Sequence, residues 1–536
     1  MTLVTSFLDW YLPAHPTHAA NLGLTEHEGT LGDFSEAGHL ARQRSHADWL
    51  ARFTEAAPPA DFSGLIDHEL VLTHLRRERA MADWPTWRRD PAAYVGSPLQ
   101  ALFGTFQHRL RPEPELVESA LSRLAELPAV YAACRANLDP DLASGQIVRR
   151  SLGQLRTTRG FLTEVLPAAV ENEADRVRLA EAGARAADAA DELAVYLDEF
   201  ADRATGDWRM GEKLYSTLLT ECELLGYGAS ELQARGEAAW AQMDAEATEL
   251  AGGDWRARVR TFQDDHPATM DELLTVVVEE TERARQFLRD HDLVTFAEGE
   301  VCQVVPSPSF LRPLFVVPFY GAPPAMTPSR TGYHFVPFTP DDATPEQVEQ
   351  RLRTNAYALL PTTAVHEAYP GHHWHFSWLA GNPRPVRKVF RTPYFAEGWG
   401  LYSERMMREQ GYFADPAHEL AHLDFRLFRA ARIIVDTRLH CGDMTVEQAE
   451  EFMTTKYTLT AGTAKGEVSR YCSWPTQAPA YLTGSLEIEA IRDEFLARGL
   501  GTLKSFHDRI AGSGALPLGL ARRVVLEQPG EQAGWR

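Results

Sequence analysis

The sequence predicts a mainly α-helical protein, a large multi-helix body around a deep active-site cleft with one small β-sheet. Three observations carry that prediction. Between residues 36 and 291, apolar residues recur at three- and four-residue spacing between charged faces, the mark of amphipathic helix. Nine prolines then fall between 306 and 340, and the runs between them are short and β-rich. After Thr344 the helical pattern resumes. Helices without matching strands make an all-α body with a minor sheet.

The first region is expected to hold helices at 37–56, 64–84, 113–137, 170–203, 229–252 and 268–291. The run at 170–203 is alanine-rich and nearly free of breakers, so it reads as a long packed helix of the scaffold. No fixed-period repeat is present, which argues against a solenoid. Composition changes near 292, dividing an N-terminal helical region, 1–291, from a catalytic region, 292–536. There Leu314-Phe315-Val316-Val317 and Tyr333-His334-Phe335-Val336 are the expected strands, held short or at an edge by Pro318 and Pro337. A free sheet edge can pair with an extended peptide. Thr344 then caps a helix with Pro345 at its first position and Gln347 at its third. Further helices are expected from Pro361 to a break at Gly381-Asn382-Pro383, then at about 394–411, 417–440, 445–458 and 485–498.

Of the 536 residues, 44% are apolar and 24% charged, as in ordinary globular proteins. The formal charge of −22, from 53 basic and 75 acidic residues, disfavours nucleic acid and anionic membrane as partners. Five scattered cysteines, Cys134, Cys222, Cys302, Cys441 and Cys472, include no CxxC pair and read as reduced thiols. The first residues lack a basic segment and meet Asp9 early, and no apolar run approaches membrane-spanning length. The expectation is a soluble cytoplasmic protein, monomer or homodimer.

The most informative stretch is PTTAVHEAYPGHHWHF, residues 361–376, which places four of the 19 histidines within ten residues. A His-Glu pair followed by further histidines suits a zinc hydrolase: imidazoles hold the ion and the glutamate faces the activated water as general base. Here His366 and Glu367 form the pair, but Pro370 stands where HExxH has its second histidine. Pro370 cannot donate to the His366 carbonyl, so the turn must open. Gly371 gives the backbone freedom to re-enter helix. A turn widened by two residues brings His372 to the ligand position. His373, on the same face as His366 but about 10 Å along an ideal axis, is the competitor. Glu397, 25 residues past His372 in a second helical segment with Glu404, is the natural third ligand, which leaves a fourth position for water.

HEAYPGHH followed by EGW and YSE resembles a bacterial domain-of-unknown-function family regarded as distantly related to the gluzincin metallopeptidases. Those include the thimet oligopeptidase, carboxypeptidase Taq and angiotensin-converting enzyme groups. The resemblance also takes in DTRLHCGDMTVEQA at 436–449 and RYCSWPTQAPAYLTG at 470–484, about 140 residues strongly. It departs from the family pattern at Pro475-Thr476-Gln477-Ala478 and near Leu482. It implies zinc on His366, His372 and Glu397, with Glu367 as base.

Other residues are candidates for the same chemistry. Tyr481 is the preferred oxyanion donor and Tyr471 the alternative, in a segment that resembles the family's tyrosine-bearing substrate wall. Arg470 can receive a substrate carboxylate. Asp436 and His440, four apart on one helix face, can pair to steady a ligand, and Glu404 can accept the free N–H of a zinc-bound histidine. The expected function is zinc-dependent hydrolysis of short peptides. A hydrolase of another amide or ester, or a binding protein that retains metal without turnover, are the alternatives.

Overall fold

The computed structural model describes residues 2–308, 311–312 and 315–528. It is mainly helical, with one three-stranded sheet. The chain divides into two compact units, Met1–Ala60 with Val71–Met210, and Asp61–Leu70 with Gly211–Arg536. The compositional change near 292 falls within the second unit, where the chain leaves helix Met270–Asp290 and enters the strands.

In the first unit the scaffold helix runs Glu173–Arg203, capped by Asn172, whose side chain accepts from the Asp175 amide. Its buried stripe is mostly small, with Ala182, Ala186, Ala187 and Ala190 between Leu179 and Leu193. Alanines let backbones approach closely, and helices Glu113–Asn137 and Gly145–Gly160 pack on this stripe. Helix Ala92–Gln107 has Pro98 in its interior, the kind of signal that hides a helix from a periodicity reading.

In the second unit the sheet has the order β1-β3-β2: β1 is Val301–Pro306, β2 is Phe319–Gly321 and β3 is Thr331–Val336. β1 pairs in parallel with β3, and β2 pairs antiparallel on its other side. The expected strand at Tyr333–Val336 lies within β3. The expected strand at 314–317 does not form. Leu314 lies outside the described residues, while Phe315, Val316 and Val317 are 37%, 51% and 49% exposed, Val316 and Val317 in a bend. The strand begins only after Pro318, because an apolar β-branched run gains nothing from extension unless a neighbouring edge pairs with it.

Helix Pro345–Thr354 starts with the expected capping box, Thr344 and Gln347 bonding reciprocally. The helices that follow position the site: Leu360–Glu367, His372–Gly381, Pro393–Glu409, Pro416–Cys441, Ala461–Ser473 and Ala480–Ala497. Helices 393–409 and 480–497 cross where Gly398 meets Gly484. A Cβ on Gly398 would lie 2.5 Å from the Gly484 Cα, so two glycines set the spacing of the pair. Residues 61–70 join this unit through Asp67, whose carboxylate accepts from Arg387 at 2.7 Å and also from Arg384. All five cysteines are described and no disulfide joins them. No helix among the described residues is long and apolar enough to cross a membrane.

Candidate metal centre

The expected widened helical turn is instead a full break. The first helix stops at Glu367, residues 368–371 are non-helical, and a new helix starts at His372. A proline that cannot donate and a glycine packed against carbonyl oxygens explain why helix cannot continue. A side chain at Gly371 would collide with the carbonyl oxygens of Val365 and His366. The break is pinned from outside by Trp399, fully buried, whose indole N–H donates to the Pro370 carbonyl at 2.7 Å. Trp399 stacks on Trp374, with centroids 5.4 Å apart.

The break brings three donors together. Ligand atoms of His366, His372 and Glu397 all lie within 4.8 Å of one another. The Nε2 atoms of His366 and His372 stand 3.6 and 3.5 Å from Glu397 Oε2, and the two rings are nearly perpendicular. Glu404, fully buried, accepts from His366 Nδ1 at 2.7 Å, which turns the Nε2 lone pair toward the cluster. His422 Nδ1 lies 3.5 Å from the other Glu404 oxygen. Helix 393–409 passes so close that a Cβ on Gly400 would fall 2.6 Å from His366 Cε1.

The electrostatics describe a site rich in negative charge. Burial pushes the Glu397 carboxyl up, but hydrogen bonds and charges from His366 and His372 win and hold it far below the usual range. Glu404 follows the same balance and settles at about 2, with His366 and His422 as its partners. Burial disfavours a proton on His366, yet Glu397 and Glu404 raise it to about 10. Glu367 makes no hydrogen bond or ion pair among the described residues; burial raises its pKa, against the nearby His366 and His372. The donor set, two imidazoles and a carboxylate with a second carboxylate behind one ring, fits a divalent cation of the zinc type.

The neighbouring histidines have other work. His373 is fully buried, its Nε2 2.6 Å from Glu300 and its Nδ1 3.0 Å from the Tyr320 hydroxyl, so it faces away from the three donors. Glu300 also accepts from Tyr369 at 2.7 Å and Arg285 at 2.6 Å. His375 is buried against Phe395, and burial lowers its pKa to about 3.

Several sequence assignments change. Tyr471 is fully buried and donates to Glu467 at 2.6 Å, and Arg470 bonds Glu467 at 2.9 Å and also Gln477. Both are thus committed to a cluster completed by Arg432, 3.0 Å from Glu467. Asp436 and His440 do not pair. Asp436 accepts from Tyr215 at 2.5 Å and the Thr476 amide at 3.2 Å, and His440 Nε2 meets the Tyr471 carbonyl at 2.9 Å. Spacing of four on a helix permits a pair but does not compel one when each group has a buried partner on another helix. Tyr481 sits in the first turn of helix 480–497, and its hydroxyl has no hydrogen-bond partner among the described residues. Burial first, then the Glu397 charge, raises its pKa.

Sequence reading missed Glu300, Tyr320, His422 and Arg429. Tyr320 lies on β2 and its ring stacks near His372 and Phe376. Arg429 makes no ion pair among the described residues, donates only to the Phe425 carbonyl, and approaches the Tyr481 ring at 5.8 Å. Its charge acts on Glu367 and Glu404. A seven-residue spacing from His422 on helix 416–441, one face of two turns, is the only signal that would have grouped the last two.

Two solved structures share this fold. One, from Shewanella oneidensis, is described as a "putative lipoprotein of unknown function"; it has a TM-score of 0.80 and 22% identity, over 98% of this chain and 99% of the other. The second, a "putative lipoprotein" from Colwellia psychrerythraea, has a TM-score of 0.81 and 17% identity over the same shares. The comparison with curated proteins found no match. The family described as "Bacterial protein of unknown function (DUF885)" matches residues 16–525, and the chain belongs to it.

Proposed function

We propose that the chain is a zinc-dependent hydrolase, and specifically a metallopeptidase of gluzincin type acting on short peptides. The observation that carries the reading is the meeting of His366 Nε2, His372 Nε2 and Glu397 Oε2 beside the unpaired carboxylate of Glu367. His366, His372 and Glu397 would hold the ion, and Glu404 would keep the His366 tautomer and ring orientation. When bound, zinc supplies a Lewis acid that polarises a carbonyl and makes water nucleophilic near neutral pH.

The chain's own groups then divide the remaining work. Glu367 takes a proton from the attacking water and returns it to the leaving amine nitrogen, so the proton count closes on one carboxylate. Its raised pKa suits a group that must both accept and release. Tyr481, with a hydroxyl that bonds nothing else among the described residues, donates to the oxygen of the scissile carbonyl. With Arg470 committed to Glu467, Arg429, whose charge acts on Glu367, is a cation that can receive a substrate carboxylate. The outer edge of β2 offers backbone groups to an extended peptide, next to the Tyr320 ring.

The test combines metal analysis with a substrate screen. One zinc per chain is expected, with loss in His366→Ala and Glu397→Ala. Full zinc in either variant overturns the ligand set. The zinc-loaded protein is then incubated with a mixed peptide library and read by mass spectrometry. Defined cleavage that disappears in Glu367→Gln supports the reading, and a library left intact overturns peptide hydrolysis.

A further inference from the structure

The first unit contains a cavity of about 630 Å³, in the size range of small-ligand sites. Its walls come from helices Glu36–Glu55 and Phe62–Ala82, with Leu50, Leu75 and Met81 as apolar surface. Four charged residues line it: Glu55 and Arg79 are exposed, while Arg42 and Glu78 are half-buried and of opposite sign, near enough to feel each other's charge without forming an ion pair. Arg42 donates to the Asp33 backbone carbonyl at 2.7 Å and bonds His39 Nδ1 at 3.1 Å, and among the described residues it forms no ion pair, although the Asp33 and Glu78 carboxylates act on it. Within ion-pair distance Glu78 has only His46 Nδ1, at 3.5 Å, while the charges of Arg77 and Arg42 act on it from farther away.

Other polar groups in the lining are similarly uncommitted. His46 is 6% exposed and its Nε2 has no hydrogen-bond partner. His39 Nε2 has none either, while its ring stacks flat on Trp87, centroids 4.9 Å apart. With His39 Nδ1 accepting from Arg42, Nε2 carries the proton and becomes a second donor beside the guanidinium. Burial is the main shift on both charges, lowering the pKa of Arg42 and raising that of Glu78. Partly desolvated charges without partners are costly to keep.

We infer that this cavity is a binding site for a zwitterion with an apolar side chain, a free amino acid being the simplest, its carboxylate on Arg42 and His39 and its ammonium on Glu78. A plain anion would bring like charge to Glu78 without giving it an ion pair, and a plain cation would do the same to Arg42. An apolar ligand would pair with neither. A molecule with both charges gives each of them an ion pair, and the apolar wall accommodates its side chain. None of the residues belongs to the second unit, so the site stands whether or not the metal centre hydrolyses peptides.

The test is isothermal titration of the full chain with L-leucine, N-acetyl-L-leucine and L-leucinamide. L-leucine is expected to bind once per chain, at least tenfold more tightly than either blocked analogue. Arg42→Gln and Glu78→Gln should each weaken it tenfold or more. Ala47→Trp, which fills the cavity from an exposed helical position, should abolish it. His366→Ala should leave it unchanged. Should the charge variants fail to fold by circular dichroism, Ala47→Trp and the two analogues still decide. No heat with L-leucine, equal binding of N-acetyl-L-leucine, full binding by Ala47→Trp, or loss in His366→Ala would each overturn the inference.

Discussion

Gly400→Ala is the sharpest perturbation of the candidate metal centre, because it adds one methyl group and removes nothing. In an ordinary helix interior the change would stabilise by about 1 kcal/mol through propensity. Here the new Cβ would lie 2.6 Å from His366 Cε1 and 2.9 Å from both ring nitrogens, against the 3.4 Å at which ordinary contact begins. The shortfall is about 0.8 Å. Helix 393–409 cannot back away, since Gly398 is seated against Gly484 and Trp399 is bonded to Pro370. The imidazole must therefore move, which strains its 2.7 Å bond to Glu404. Zinc–nitrogen distances tolerate about 0.2 Å, so the displacement is several times what the ligand geometry allows. Zinc affinity should fall roughly 10–100-fold, with an overpacking cost of about 1–3 kcal/mol. The assay is competitive zinc titration against a chelating dye, with thermal melting in parallel. Gly462→Ala, where an added Cβ meets nothing within 4 Å, is the matched control. If Gly400→Ala binds zinc within twofold of the parent, helix 393–409 does not hold His366 in place and the packing argument is wrong.

Four further outcomes are expected. Glu367→Gln should keep fold and zinc yet lose turnover by about 10²-fold or more; loss of zinc as well would make Glu367 a ligand. His372→Ala should lose zinc while His373→Asn keeps it, because His373 bonds Glu300 and Tyr320 instead; the reverse pattern would exchange their roles. Tyr481→Phe should bind substrate normally and lose about 2.7–4 kcal/mol of transition-state stabilisation, a fall in kcat at constant KM; native turnover would remove the phenol from the reaction. Glu467 is pushed up by burial but drawn down to about 2 by Arg432, Arg470 and Tyr471. A depressed carboxyl stabilises the fold above its unfolded pKa, so the excess stability of the parent over Glu467→Gln should be full above about pH 4.5 and shrink toward pH 2. A difference between the two melting curves that is flat across that window would show that the pairing does not shift Glu467.

The helices of this protein are local properties, and they were legible in the residues, as were the three donors that the fold groups into the candidate site. Periodicity placed Glu113–Asn137, Glu173–Arg203 and Ala229–Ala251 within a few residues, and Thr344 with Gln347 announced a capping box that forms. These features depend on neighbours three or four positions away, which one sequence displays. Pro370 and Gly371 likewise announced that helix could not run through the motif. Their effect was underestimated, because a clean break costs less than a strained turn when Trp399 can bond the freed carbonyl. That partner lies 29 residues downstream.

What only the tertiary structure decided are choices among partners of comparable local merit. His372 and His373 are adjacent and chemically identical; Glu300 on the approach to β1 claims one, and Glu397 across the helix break stands beside the other. Asp436 and His440 were spaced to pair, but Tyr215, Thr476 and the Tyr471 carbonyl each offered a buried bond that solvent could not compete for. The run at 315–317 had strand composition and no edge to join, while Phe319–Gly321 had β3 beside it. In each case the deciding energy is burial against a residue far away in the chain, a quantity that composition and spacing along one segment do not contain.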